Sequence, residues 1–81
     1  MKLKPIASNM NEIETPDGIS VLFSYSTPVA CHVPGEGYFK TVEHFSVTTS
    51  RHINKWLALN GGSAYKGTKP QAYFDGLAVK A

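Results

Sequence analysis

From Ile19 to Ser26 the chain alternates without a break: Ile19, Val21, Phe23 and Tyr25 take every second position, with Ser20, Leu22, Ser24 and Ser26 between them. In an extended chain successive side chains point to opposite faces, so this spacing predicts a strand with an apolar face on a core. No other stretch limits the fold as tightly. Its neighbours are then read against it.

Met10–Thr15 reads as a short, mostly polar strand, followed by the turn Pro16, Asp17, Gly18. Proline presets φ there, aspartate bonds to nearby backbone and glycine takes the left-handed position. On the other side, Val29, Cys31 and Val33 alternate with Ala30 and His32, and Pro34–Gly37 is a second turn. Tyr38–Val42 is the returning strand. These pieces predict an antiparallel β-meander of three to four strands over about residues 10–45. Glu12 and Glu14 share one face of the first of these strands. On a strand near the sheet edge such charges guard against edge-to-edge pairing.

The period then changes from two to 3.6. Ser46–Ser50 is rich in hydroxyls that can cap a helix. Ile53, Trp56, Leu57 and Asn60 follow at i, i+3, i+4 and i+7, with His52 and Leu59 on the flank of that stripe. Asn60, Gly61 and Gly62 supply a left-handed stop. The expected helix is Thr49–Leu59, or about 48–60 with its caps. It is too short to be stable alone in water and must pack its Trp56 side on the sheet. In the segment 63–81, Thr68 and Gln71 match a capping box, with Pro70 in the first turn. Tyr73, Phe74 and Leu77 then suggest one or two helical turns ending near Gly76, with a frayed end. The reading is α+β: a meander, one amphipathic helix and a short C-terminal helical turn, in a single domain spanning 1–81.

Phe23, Tyr25, Phe39, Phe45 and Trp56 are expected in the core, and Tyr38, Tyr65 and Tyr73 partly exposed. The open face of the sheet would carry Ser20, Ser24, Ser26, His32 and Lys40.

The chemistry is sparse. Cys31, His32, His44 and His52 are the borderline metal ligands, and their spacings match no closed zinc pattern. No metal or cofactor is expected. Cys31 on an inward face would be inert, no glycine-rich elbow surrounds a serine, and a core this small leaves little room for a pocket. The expectation is a protein that is not an enzyme. Gly35, Gly37, Gly61 and Gly62 lack the spacing of a phosphate cradle and read as turn glycines.

Charge is informative in its distribution. Residues 5–43 hold five acids and one base, a net of −4; residues 44–81 hold five bases and one acid, a net of +4. Lys2 and Lys4 complete the overall +2. Arg51, Asn54 and Lys55 lie opposite the Trp56 stripe, with Arg51 and Lys55 at i, i+4 and no acid between them. A solvated basic face is the plain reading. The same side chains suit phosphates, base edges or an acidic protein surface. Lys66 and Lys69 would extend the patch if their segment folds back to that side.

No run of about 18 apolar residues marks a membrane span. One cysteine precludes an internal disulfide, and no apolar stretch follows the basic start; a cytoplasmic setting is the simpler expectation. A domain of this size gains from docking on a partner or from forming a homodimer.

Several stretches resemble a family of small uncharacterised proteins encoded by tailed phages and prophages: Ile6–Met10, Asp17 and Gly18 with Val21–Tyr25, Thr27–Ala30, and above all Ser46–Leu57. Together they cover roughly residues 6–60, and the tail beyond Asn60 is read as individual to this chain. The resemblance implies a phage origin and the cytoplasm of a bacterial host. It carries over no function and no catalytic residue. A meander with one helix is also similar, at fold level, to DNA-binding domains of the AP2 and integrase-arm type, which carry more arginine on the sheet. Two functions are therefore expected in order: a stoichiometric inhibitor or modulator of a host defence or transcription protein, the anti-CRISPR type being one example; or a nucleic-acid-binding accessory protein. Arg51, Asn54, Lys55, Lys66 and Lys69 are the candidate partner-binding residues.

Overall fold

The structure, a computed structural model, describes residues 2–62 and 64–80. Ser63 and Ala81, the ends of the expected tail segment, lie outside the described residues. The fold is α+β. Strands β1 (Lys2–Ala7), β2 (Met10–Glu14), β3 (Ser20–Ser24), β4 (Thr27–Val33) and β5 (Gly37–Thr41) follow one another. Then come α1 (Val47–Leu59), β6 (Gly67–Lys69) and α2 (Gln71–Lys80). The strands form one sheet in the order β1-β2-β3-β4-β5-β6. The first five are antiparallel neighbours, and β6 joins β5 in parallel.

The expected meander is therefore real but shorter than the sheet, which has six strands and is mixed. β1 lies ahead of the anticipated region, so β2 with Glu12 and Glu14 is not an edge. Pro5 sits in β1, an edge strand, where its missing N–H does no harm. β6 occupies part of the segment read as a helix cap. Thr68 is a strand residue, and the helix begins beyond Pro70, at Gln71. It also runs through Gly76 to Lys80.

The larger correction concerns the sheet's faces. Both are covered. On one, Met10, Leu22, Val29 and Ala30 pack against Ile53 and Trp56 of α1. On the other, Ile13, Val21 and Cys31 pack against Phe74 and Leu77 of α2. The expected open face is the one α1 covers: Ser24 is buried there, bonded to α1. A register shift between Leu22 and Phe23 explains one detail. Val29 is the extra residue in β4 and turns toward α1, while Cys31 and Val33 face α2.

α1 starts at Ser46, whose Oγ accepts from Thr49 N–H at 3.1 Å. Thr49, Ile53, Trp56 and Leu57 form its buried stripe. Each large apolar side chain fully buried this way stabilises the fold by about 1.5–3 kcal/mol. Its end is a Schellman motif: Gly61 N–H donates to Ala58 O, and Gly62 N–H to Leu57 O, with Gly61 at φ 74°. A methyl group on Gly62 would collide with Leu57.

Candidate nucleic-acid or protein interface

Arg51, Asn54 and Lys55 are all exposed on α1, as the helical spacing requires when Thr49, Ile53 and Trp56 face the sheet. They stand together. Lys66 is exposed but lies beside Gly37, at the start of β5. Lys69 is elsewhere again. Its Nζ lies 4.9 Å from the Phe39 ring centroid and 5.3 Å from that of Tyr73, and both rings belong to the face covered by α2. The structure thus groups three of the five expected residues and sends Lys69 to the opposite side.

Exposed apolar side chains, among them Phe45, which the sequence assigned to the core, join the three. Phe45 is 47% exposed and Val47 is 65% exposed, next to Val42 at 56%. Val47 precedes Arg51 by one helical turn, and Leu59 follows Lys55 by one and is 60% exposed. The outer surface of α1 and the loop before it therefore combine two cations with several uncovered apolar groups. An unbroken apolar stripe would have revealed these residues; single apolar positions in a polar loop do not.

Tyr25 was also misplaced. It is 52% exposed and sits in the β3–β4 turn with φ 59°, a left-handed conformation that bulky residues rarely adopt. Its N–H donates to Asn9 O at 2.7 Å, which joins two adjacent turns, Asn9 having φ 61°. Its ring centroid lies 5.8 Å from that of His52, on the flank of α1 opposite Ser50 and Asn54.

Beneath that ring is a small polar network. Ser24 Oγ and His52 Nδ1 are hydrogen-bonded at 2.7 Å, and the Ser24 hydroxyl donates to Thr49 Oγ1 at 3.2 Å. Burial, and then the nearby Lys55 charge, lower the His52 pKa below its ordinary value. A serine beside a histidine has the outline of a nucleophilic pair. Here Ser24 is 2% exposed, and its oxygen ties the sheet to the helix.

The remaining borderline ligands are dispersed. Cys31 is fully buried toward α2, and burial pushes its thiol pKa up to about 11, against a smaller lowering by Lys69. His32 packs against the Tyr38 ring, with centroids 4.5 Å apart. Among the described residues no three His, Cys, Asp or Glu side chains gather as a metal site would require, and no helix is long and apolar enough to cross a membrane.

The chain belongs to a family of unknown function, DUF8033, whose model matches residues 1–76. The match runs through β6 and into α2, so the tail beyond Asn60 is, as far as residue 76, part of the family pattern and not individual to this chain. No curated protein and no solved structure matches it.

Proposed function

We propose, with family membership as a premise that brings no function with it, that this chain is a small non-enzymatic binding protein. Its role is that of a stoichiometric inhibitor or modulator of a host defence or transcription protein, produced from a phage genome in the bacterial cytoplasm. One observation carries the reading: the outer face of α1 presents Arg51 and Lys55 with no neutralising acid among the described residues, flanked by the uncovered Phe45, Val47 and Leu59. Apolar anchors beside arginine are the pattern of protein interfaces. Nucleic-acid interfaces are more polar and more strongly positive, so binding of nucleic acid by Arg51, Asn54 and Lys55 is the second reading.

The test is capture of partners from bacterial lysate on the tagged chain, with and without nuclease. A protein retained in stoichiometric amount after nuclease, and lost when Arg51→Glu is combined with Lys55→Glu, supports the first reading. Retention of a labelled duplex that weakens steeply with salt supports the second. Equal capture by the wild-type chain and a correctly folded double variant removes the helix face from both.

A further inference from the structure

From Val42 to Thr48 every residue is exposed, although Val42, Phe45 and Val47 are apolar. Uncovered apolar side chains rimmed by charge mark an interaction surface. The charges around these three follow an order. Glu43 lines a groove of about 440 Å³ between the β5–α1 loop and the flank of α1 that bears Ser50 and Asn54. Each residue turns a helix by about 100°, so Val47 comes next around α1, and Arg51 and Lys55 lie beyond it. One acid thus stands on one border of the apolar group and two cations on the other. Glu43, Arg51 and Lys55 form no ion pair among the described residues. Lys40 also lines the groove, but its half-buried ammonium lies 5.7 Å from the Tyr65 ring centroid and makes no ion pair with Glu43.

We propose that a second copy of the chain docks on this surface, related to the first by a two-fold axis that passes near Val47. The mixed sign of the patch selects the occupant. A uniformly acidic partner would be opposed by Glu43, and a uniformly basic one by Arg51 and Lys55. A two-fold interface uses the same patch on both copies, so the patch must complement itself. This one does: turned about its apolar centre, it brings Glu43 of each copy to Arg51 of the other and sets Phe45 and Val47 against their own images. Few side chains take part, which places the interface at the small end of the range and the dissociation constant on the order of 10–100 μM. The inference goes beyond the partner reading above and does not rest on it. A second copy and a host protein compete for Arg51.

Sedimentation velocity of the full chain from about 1 μM to 1 mM, a range that spans this constant, tests the proposal. The wild-type chain is expected to pass reversibly from monomer to dimer. Arg51→Glu sets acid against acid at both ends of the interface, and Glu43→Arg sets cation against cation; each variant alone is expected to associate at least about tenfold more weakly. Both side chains are exposed, so both variants should keep the wild-type far-UV circular dichroism. Mixing the two variants restores opposite charges at both ends, and a heterodimer about as tight as the wild-type dimer is expected. Wild-type chain that stays monomeric to about 1 mM overturns the proposal. So does a dimer unaffected by either substitution, or a mixture that associates no better than its components. The partner reading fails separately: a monomeric chain that still captures a host protein through Arg51 and Lys55 defeats the dimer and leaves that reading standing.

Discussion

Trp56 Nε1 donates to Glu12 Oε1 at 2.8 Å across 44 positions of chain. The bond fastens α1 to β2, and it gives Glu12 a role other than edge protection. Trp56 is 1% exposed, so its N–H has little water to turn to. Glu12→Ala is expected to cost about 1–3 kcal/mol in urea unfolding, because a buried donor loses its acceptor. Glu12→Gln keeps an oxygen in place and is expected to cost less than about 1 kcal/mol. Equal losses would show that the carboxylate acts through charge alone.

Trp56→Ala removes the largest side chain of the α1 core. The expected loss is about 3–5 kcal/mol, comparable with the whole stability of a domain this small. The variant should show no cooperative thermal transition in far-UV circular dichroism. A sharp transition near the wild-type temperature would mean that α1 is not essential to the fold.

Tyr25→Gly separates stability from binding. Glycine adopts φ 59° without the Cβ penalty, so the variant should be more stable by up to about 1 kcal/mol. If the partner surface wraps the His52 flank of α1, the same change should weaken capture. Higher melting temperature with unchanged capture would confine Tyr25 to the turn.

The His52 environment predicts a direction in pH. Its folded-state pKa is depressed, so the neutral imidazole is the form the fold favours. The contribution is fully present above the unfolded value of about 6.5 and is lost as pH falls from there through the folded pKa. Chemical denaturation at a series of pH values should show stability falling across that window. His52→Asn, which has no such titration, should flatten the slope there. An unaltered slope would show that His52 does not set the pH dependence.

The strands from Ile19 to Thr41 and helix α1 were legible because their periodicity reflects burial. β1 was not, since an edge strand tolerates Pro5 and Lys4 and needs no alternating apolar face. β6 has three residues, Gly67, Thr68 and Lys69, and exists through its register with β5, a contact far apart in the chain. Thr68 and Gln71 fit a capping box in spacing alone. The Gln71 side chain instead accepts from Thr41 Oγ1 at 2.8 Å and donates to Pro28 O at 2.7 Å, so it joins β5 and β4 to α2. The two-sided core left one signal unread. Met10, Leu22 and Ala30 are apolar residues on the face that the serines made look open. Of the candidate interface, the charged part followed from helix geometry. Its apolar part did not, because exposure of Phe45 and Val47 depends on how the β5–α1 loop crosses the sheet end.

Cys31 lies beneath α2, which follows the whole sheet and α1 in chain order. All six strands and α1 precede it in the chain, so the sheet can assemble while that face is still bare. The thiol then changes from solvent-accessible to sealed at the moment Phe74 and Leu77 dock. The fold thus carries an internal reporter of the docking of α2 on the sheet. Pulse labelling with a thiol reagent during refolding would time the closing of this second layer without any added probe.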